Sequence, residues 1–215
     1  MSKDNRKVDL HCHTTASDGR ITPKELVKKA RKIGLSAIAI TDHDTVAGIE
    51  EAVLEGEKLG VEVIPGIELT CRNGYQEVHV LGYFLDYTNK NLVKSLDAIR
   101  FRRIHKELTF KDYLSIIIDA GGLPVLGHPA EYGLSNTELE ELIKELKGYG
   151  LVGIEVMHPS TPKSLVNVLK TIAQENELCV TGGSDYHNHH YSSYELGVMN
   201  VNYDILDFLK EGRMT

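Results

Sequence analysis

Histidine and carboxylate side chains recur at the ends of apolar segments in this 215-residue chain. The first segment, residues 8–10, leads into His11 and His13, which are two positions apart. On a β-strand this spacing places both imidazoles on one face, and Asp18 can return to them from the turn that it forms with Gly19. Two imidazoles and a carboxylate suit a divalent transition metal. Taken alone, the motif also fits two solvent-exposed histidines beside a turn.

The same arrangement repeats further along the chain, and this repetition favours a metal site. Apolar segments at residues 35–40, 61–67, 123–127 and 178–183 each lead within a few residues into a histidine or a carboxylate. Such segments are typical of parallel strands buried on both faces, and the carboxyl ends of such strands meet at one rim of an α/β barrel. The candidate metal ligands are His11, His13, Asp18, His43, Glu68, His79, His128, Asp185 and His187.

The size of this ligand set predicts more than one ion. Nine ligands exceed the four of a closed structural zinc site, so we expect two or three clustered divalent ions. The mixture of imidazole and carboxylate suits Mn, Fe or Zn and does not choose among them. Clustered ions generate hydroxide at neutral pH and clamp phosphoryl oxygens during in-line displacement. The sequence contains neither a Walker loop nor a G-x-S-x-G elbow, so nucleotide-driven transfer and serine hydrolase chemistry have no sequence support.

The composition is that of an ordinary globular protein, with 41% hydrophobic and 26% charged residues. The net charge of −7 argues against extended nucleic-acid binding. Three widely spaced cysteines form no disulfide framework, which suits a reducing compartment. The polar N-terminus lacks an apolar signal core, and no apolar run is long enough to span a bilayer. We therefore predict a cytoplasmic protein without membrane association.

Strand and helix patterns alternate almost throughout the chain, which predicts parallel βα units in one domain, residues 1–215. Capping boxes at residues 22–25 and 135–138 predict helix starts. Asn73-Gly74 predicts a hairpin turn before the strand that contains His79. Residues 91–120 have a continuous helical pattern, and a weaker strand is expected around residues 196–201.

In these motifs and their order the chain resembles the PHP family, the polymerase and histidinol phosphatase superfamily. The resemblance implies a distorted (β/α)7 TIM-like barrel with a trinuclear centre of Mn, Fe or Zn. By motif position it implies the same nine ligands. The motifs that carry it are residues 11–19 (HCHTTASDG), 41–45 (TDHDT), 65–68 (PGIE), His79, 127–129 (GHP) and 183–187 (GSDYH).

Within that family, the HxHTxxSDG and TDHDT forms are similar to the branch that removes the 3′-phosphate of nucleoside 3′,5′-bisphosphates and trims short RNA. That branch holds its substrate phosphate with basic residues on the helix after the His79 strand, where this chain has Arg100, Arg102 and Arg103. It usually carries an inserted helical subdomain before the segment that contains His128. The short stretch between Arg103 and His128 leaves no room for that insertion.

Four further residues have candidate roles in substrate binding or catalysis. Arg100 and Arg103 lie three apart on one helix face, which fits a phosphate clamp or a solvated basic face. His158 follows the strand at residues 152–156 and is predicted to contact the substrate or its leaving group, unless the loop satisfies its nitrogens. Asp42 could orient a ligand imidazole, accept a proton, or cap the next helix.

The sequence therefore predicts a metal-dependent phosphoesterase in which a metal-bridging hydroxide attacks a small phosphate ester. The substrate candidates are nucleoside 3′,5′-bisphosphates and short oligonucleotides. The alternatives are a histidinol phosphatase-like phosphomonoesterase, an amidohydrolase-like enzyme acting on a non-phosphate substrate, and a non-catalytic PHP module that only binds metal.

Overall fold

In the computed structural model, which describes residues 5–73, 76–101, 108–188 and 192–213, strands form a curved central sheet and helices cover its outside. Two short 3-10 helices lie at Pro129–Tyr132 and Ser192–Tyr194. The main elements are β1 (Lys7–Asp9), α1 (Pro23–Ile33), β2 (Ala37–Ile40), α2 (Ile49–Leu59), β3 (Glu62–Asn73), β4 (Gln76–Tyr83), α3 (Lys90–Arg100), α4 (Phe110–Asp119), β5 (Leu123–Leu126), α5 (Asn136–Gly148), β6 (Gly153–Met157), α6 (Lys163–Glu175), β7 (Cys179–Gly182), β8 (Val201–Asn202) and α7 (Asp204–Arg213).

The eight strands have the order β7-β6-β5-β4-β3-β2-β1-β8 and form a nearly closed barrel. Residues just beyond β1 and β7 meet in a parallel bridge between Cys12 and Tyr186. The short β8 pairs antiparallel with Lys7 and Val8 at the start of β1. The predicted α/β barrel is thus confirmed.

The prediction of parallel pairing is correct for four of the seven strand pairs and wrong at β8 and β4. The larger exception is β4. This strand is antiparallel to both β3 and β5, because β3 runs for 12 residues and returns directly through a hairpin without a crossover helix. The hairpin places residues of β3 and β4 opposite each other, with Thr70 paired to His79. Glu68 and His79 therefore come to the rim on neighbouring strands of one hairpin.

The helices begin and end largely where the sequence indicates. The predicted capping boxes are present at Thr22 before α1 and at Ser135 before α5, and Thr109 caps α4 in the same way. The continuous helical pattern at residues 91–120 is instead divided, because α3 ends at Arg100 and α4 begins at Phe110. The predicted late strand is shorter and later, at Val201–Asn202.

Apolar side chains pack both inside the barrel and between the barrel and its helices. Val8, Leu10 and Tyr83 belong to the inner cluster. Cys12 is fully buried in the outer cluster with Leu26 of α1. Of the described helices, each is too short or too polar to cross a bilayer.

Candidate metal centre

The structure brings the nine predicted ligands into one continuous cluster at the end of the barrel where the parallel strands finish. Residues after β1, β2, β5 and β7 supply most of them, and the β3–β4 hairpin supplies Glu68 and His79. Asp18 reaches the cluster from the loop after β1, with Oδ1 3.2 Å from His187 Nε2 and 3.6 Å from His13 Nδ1. Sequence-distant residues thus converge as the barrel topology predicts.

Glu68 lies at the centre of this cluster and is fully buried. Its Oε2 is 3.1 Å from Nε2 of both His11 and His13. Its Oε1 is 2.7 Å from His79 Nδ1 and 2.9 Å from His128 Nε2. Burial alone would raise the pKa of Glu68, but the surrounding imidazoles outweigh it and hold that pKa well below 4.5. His43 Nδ1 also lies 3.4 Å from Oε2, so the two oxygens of one carboxylate face different sets of imidazoles.

Four overlapping groups of side chains have the composition of a metal site. Within each group, one potential ligand atom from every member lies within 4.8 Å of the others. Glu68 and three of the histidines are shared between groups, as expected for neighbouring ions that share ligands. Three groups consist only of predicted ligands, namely His11, His13, Glu68 and Asp185; His43, Glu68 and His79; and His13, Asp18, His43 and His187. The fourth is His11, Glu155 and His158.

Unpaired nitrogens inside the cluster support its fit to metal ions. Among the described residues, Nδ1 of His13, His43 and His128 is buried without a hydrogen-bond partner. A buried polar atom that lacks a partner is costly, and a bound cation removes that cost. Imidazole and carboxylate ligands together suit Mn, Fe or Zn. The residues present therefore fit divalent transition-metal ions.

Without metal, several of these imidazoles bind protons tightly. Burial alone would lower the pKa of His13, but hydrogen bonds to Asp185 and Glu68 outweigh it and raise the pKa to about 9. The pKa of His11 is also raised well above 6.5, against the effect of burial, by Glu155 and Glu68. The metal-free cluster thus holds protons at neutral pH where metal ions would bind.

Metal binding at pH 7.5 is therefore expected to release at least one proton for each chain, because only a neutral imidazole ligates a metal. Calorimetric titration with Mn²⁺ in two buffers of different ionisation enthalpy measures this release. Since the His13 pKa is about 9 without metal, the affinity should rise as the pH increases from 6 to 9. Equal heats of binding in both buffers would contradict this assignment.

Two buried carboxylates contact the cluster although the sequence analysis did not select them. Glu155 of β6 lies beside the His11 ring. Asp9 accepts hydrogen bonds from the backbone N–H groups of His11 and Ser184, at 3.3 and 2.8 Å, and so joins the two strand ends that carry ligands. The sequence did contain a signal for each of them, namely a single carboxylate inside an apolar strand. Such a carboxylate is rarely fully buried unless it has a partner, so its position indicates a paired group.

Asp42 is fully buried, and it organises the loop after β1. Its Oδ1 accepts hydrogen bonds of 2.7 Å from the Thr14 backbone N–H and the Ser17 hydroxyl, and its Oδ2 accepts one of 2.8 Å from the Thr14 hydroxyl. The next helix is capped at Gly48 instead, without a side-chain hydrogen bond. The cap alternative is therefore wrong, and we assign Asp42 as a residue that positions the Asp18 loop.

Replacing Asp42 by Ala is expected to lower the free energy of unfolding of the metal-free protein by about 3 kcal/mol, because hydrogen bonds to a buried carboxylate are lost and their donors stay buried. Urea unfolding measures the change. Ser17→Ala removes one donor and should cost less, about 1 kcal/mol. An Asp42→Ala protein as stable as the wild type would contradict this role.

His158 lies against the cluster and is buried, with a side-chain exposure of 0%. Its Nδ1 accepts a hydrogen bond from the Ser160 backbone N–H at 3.2 Å and lies 2.7 Å from the Ser160 hydroxyl. Its Nε2 lies 3.6 Å from Asp185 Oδ2 and has no hydrogen-bond partner among the described residues. The loop thus provides hydrogen-bond partners for Nδ1, and Nε2 remains free to contact a ligand on the side of the cluster.

Arg100 is exposed at the end of α3 and lines a surface cavity of about 430 Å³. Asp44 and Thr45, which directly follow His43, line the same cavity, and so does Tyr87. Arg100 is therefore close to a segment that carries a candidate ligand. Arg102 and Arg103, the other basic residues predicted to follow Arg100, lie outside the described residues.

Comparison with known proteins agrees with this fold. The PHP domain family matches residues 9–158. A 5′-3′ exoribonuclease of Haemophilus influenzae is 28% identical, over 85% of this chain and 90% of that protein. A 3′,5′-nucleoside bisphosphate phosphatase of Chromobacterium violaceum is 24% identical, over 84% of this chain and 87% of that protein. A solved structure from Bifidobacterium adolescentis, described as a candidate metal-dependent phosphoesterase, has a TM-score of 0.80 at 26% identity and covers 96% of each chain.

Fold, ligand cluster and relatives define the class of protein as a metal-dependent phosphoesterase. The chain belongs to the PHP family. The alignment with the Haemophilus influenzae enzyme extends over 247 positions, more than the 215 residues of this chain. That relative therefore contains residues that have no counterpart here.

Proposed function

We propose that the nine-residue cluster binds two or three Mn, Fe or Zn ions and hydrolyses a small phosphate ester. The observation that carries this proposal is the position of Glu68, whose carboxylate faces four imidazoles at 2.7–3.1 Å. When bound, such ions would polarise the phosphoryl oxygens and supply hydroxide at neutral pH. The complete ligand set favours an enzyme over a module that only binds metal.

The protein's own groups then orient the ester and handle its proton. Because Nδ1 of His158 accepts the Ser160 N–H, a neutral His158 carries its hydrogen on Nε2, the nitrogen near Asp185. We assign Nε2 to the leaving-group oxygen of the ester, which takes the Nε2 proton when His158 is protonated on both nitrogens, so that a neutral imidazole remains. Asp42 keeps the Asp18 loop in place, and we keep Arg100 and Arg103 as the groups that bind a second phosphate of the substrate.

Nucleoside 3′,5′-bisphosphates are the preferred substrate class in this proposal, and short oligonucleotides are next. The family resemblance and the two curated relatives support this choice. The cavity that Arg100 lines with Asp44, Thr45 and Tyr87 lies beside the His43 segment, where the nucleoside end of such a substrate would be placed. Tyr87 offers a ring on which a base can stack.

Phosphate release from adenosine 3′,5′-bisphosphate by Mn-loaded protein tests this substrate, with AMP and histidinol phosphate measured in parallel. We expect the bisphosphate to react at least ten times faster than the other two, because only it offers a second phosphate to the arginines. Faster release from histidinol phosphate would contradict the nucleotide assignment and retain the phosphoesterase. No release from any ester, with metal bound, would favour the amidohydrolase-like or non-catalytic alternatives.

A further inference from the structure

Glu155 is a fully buried carboxylate in the middle of β6, inside the barrel. Its side chain packs between residues that follow β1 and β5 rather than facing solvent. An ionised group in such a position is costly unless its charge and its lone pairs are satisfied. Its neighbours therefore indicate the role that it has.

Both oxygens of this carboxylate lie close to one nitrogen of a candidate ligand. Oε1 and Oε2 are 3.1 and 3.2 Å from His11 Nδ1. A carboxylate accepts and does not donate hydrogen bonds, so the His11 hydrogen is held on Nδ1. The opposite nitrogen, Nε2, faces His13, Glu68 and Asp185, at 3.1, 3.1 and 3.4 Å, and it is the nitrogen that would ligate a metal ion after losing its own proton.

The same carboxylate also holds a second candidate ligand through the main chain. Oε2 accepts a hydrogen bond of 2.9 Å from the backbone N–H of His128. The His128 ring in turn places Nε2 2.9 Å from Glu68 Oε1. Glu155 therefore contacts ligands that face the two different oxygens of Glu68.

His13 provides an internal comparison, because its Nδ1 has no hydrogen-bond partner among the described residues. The nearby carboxylate, Asp18, is 3.6 Å away and has a side-chain exposure of 57%. Of the two histidines after β1, only His11 thus has a buried carboxylate against its outer nitrogen in the described structure.

We propose that Glu155 is a positioning residue that fixes the Nδ1–H form of His11 and the backbone of His128, so that both rings point their Nε2 atoms at Glu68. This inference rests on the proposed function in one respect, namely that His11 and His128 bind metal. Partners of metal-bound histidines at this distance typically change metal affinity or activity by about 10- to 100-fold when they are replaced.

The test is the affinity of purified full-length protein for Zn²⁺, together with the visible spectrum of the Co²⁺-loaded form. Glu155→Gln keeps the size of the side chain but removes its charge and places an NH2 donor where one of the two oxygens now accepts. We expect its Zn²⁺ affinity to fall about 10- to 100-fold and its Co²⁺ bands to change. Glu155→Asp keeps the charge and should lose less affinity.

Glu55→Gln is the matched control, because Glu55 is also a buried glutamate but pairs with Lys24, Lys28 and Lys58 of the first two helices. It should bind Zn²⁺ and Co²⁺ as the wild type does. Wild-type affinity and spectrum in Glu155→Gln would overturn the proposal, whatever the stability of that variant.

The remaining outcomes also decide the question. If Glu155→Gln does not fold, wild-type affinity in a folded Glu155→Asp would overturn the proposal, and failure of both variants to fold would make Glu155 a structural residue only. Neither readout uses catalysis. A wild-type protein that hydrolyses no ester would therefore end the proposed function, while the affinity loss in Glu155→Gln would still support the role of Glu155.

Discussion

Replacing Glu68 by Gln is expected to reduce metal content and to lower kcat/KM by about three orders of magnitude. Both oxygens of Glu68 contact imidazoles of the cluster, and an amide can supply only one neutral oxygen in their place. Metal ions contribute several kcal/mol to charge stabilisation in such reactions, and each 1.36 kcal/mol corresponds to about tenfold in rate. Metal analysis of dialysed protein and steady-state kinetics with a phosphate ester measure the two effects.

Glu55→Gln is again the appropriate control, because it removes a buried carboxylate that pairs with lysines of α1 and α2. It should retain full metal content and activity. Normal metal content together with full activity in Glu68→Gln would contradict the assignment of the cluster. His13→Ala and Asp185→Ala are expected to behave as Glu68→Gln does.

Replacing His158 by Gln is expected to leave the metal content unchanged and to lower kcat for an alkyl phosphate about 100-fold, the lower end of the range for loss of a proton-transfer group. The reason is that its free nitrogen, Nε2, faces the cluster but lies 3.6 Å from Asp185, its nearest carboxylate there. With 4-nitrophenyl phosphate, whose leaving group needs no proton, the loss should be less than about tenfold.

Two results would contradict this role for His158. A lower metal content would make His158 a ligand, in keeping with its place near His11 and Glu155. Equal losses on both substrates would exclude proton donation to the leaving group. Ser160→Ala is the matched variant, because it removes the hydroxyl beside Nδ1 and leaves Nε2 in place, so it should have the smaller effect.

Barrel topology explains why the sequence predicts the cluster so fully. Apolar strands in a parallel arrangement must end at one rim, so His43 and Asp185 could be placed together although 142 positions separate them in the numbering. The ring nitrogens and carboxylates of all nine candidates do lie in one cluster, and their roles as ligands remain our proposal. Spacing within the first motif was informative because residues two positions apart on an extended chain lie on one face.

Contacts that depend on packing were not predictable in this way. The sequence places Glu155 inside a strand but does not say that His11 faces it across the barrel. The partners of Asp42 are on another loop, at Thr14 and Ser17, so three roles stayed open until the structure excluded one. Likewise, the residue pattern of a strand does not show whether it runs parallel or antiparallel to its neighbours. The antiparallel direction of β4 follows from its hairpin connection to β3.

Anomalous diffraction from crystals of the Mn-loaded protein tests the central claim most directly. The proposal predicts two or three Mn peaks for each chain, with the Glu68 carboxylate between them and the imidazoles of His11, His13, His79 and His128 around it. A protein that binds no Mn at this rim, or that binds a single ion away from Glu68, would contradict the account.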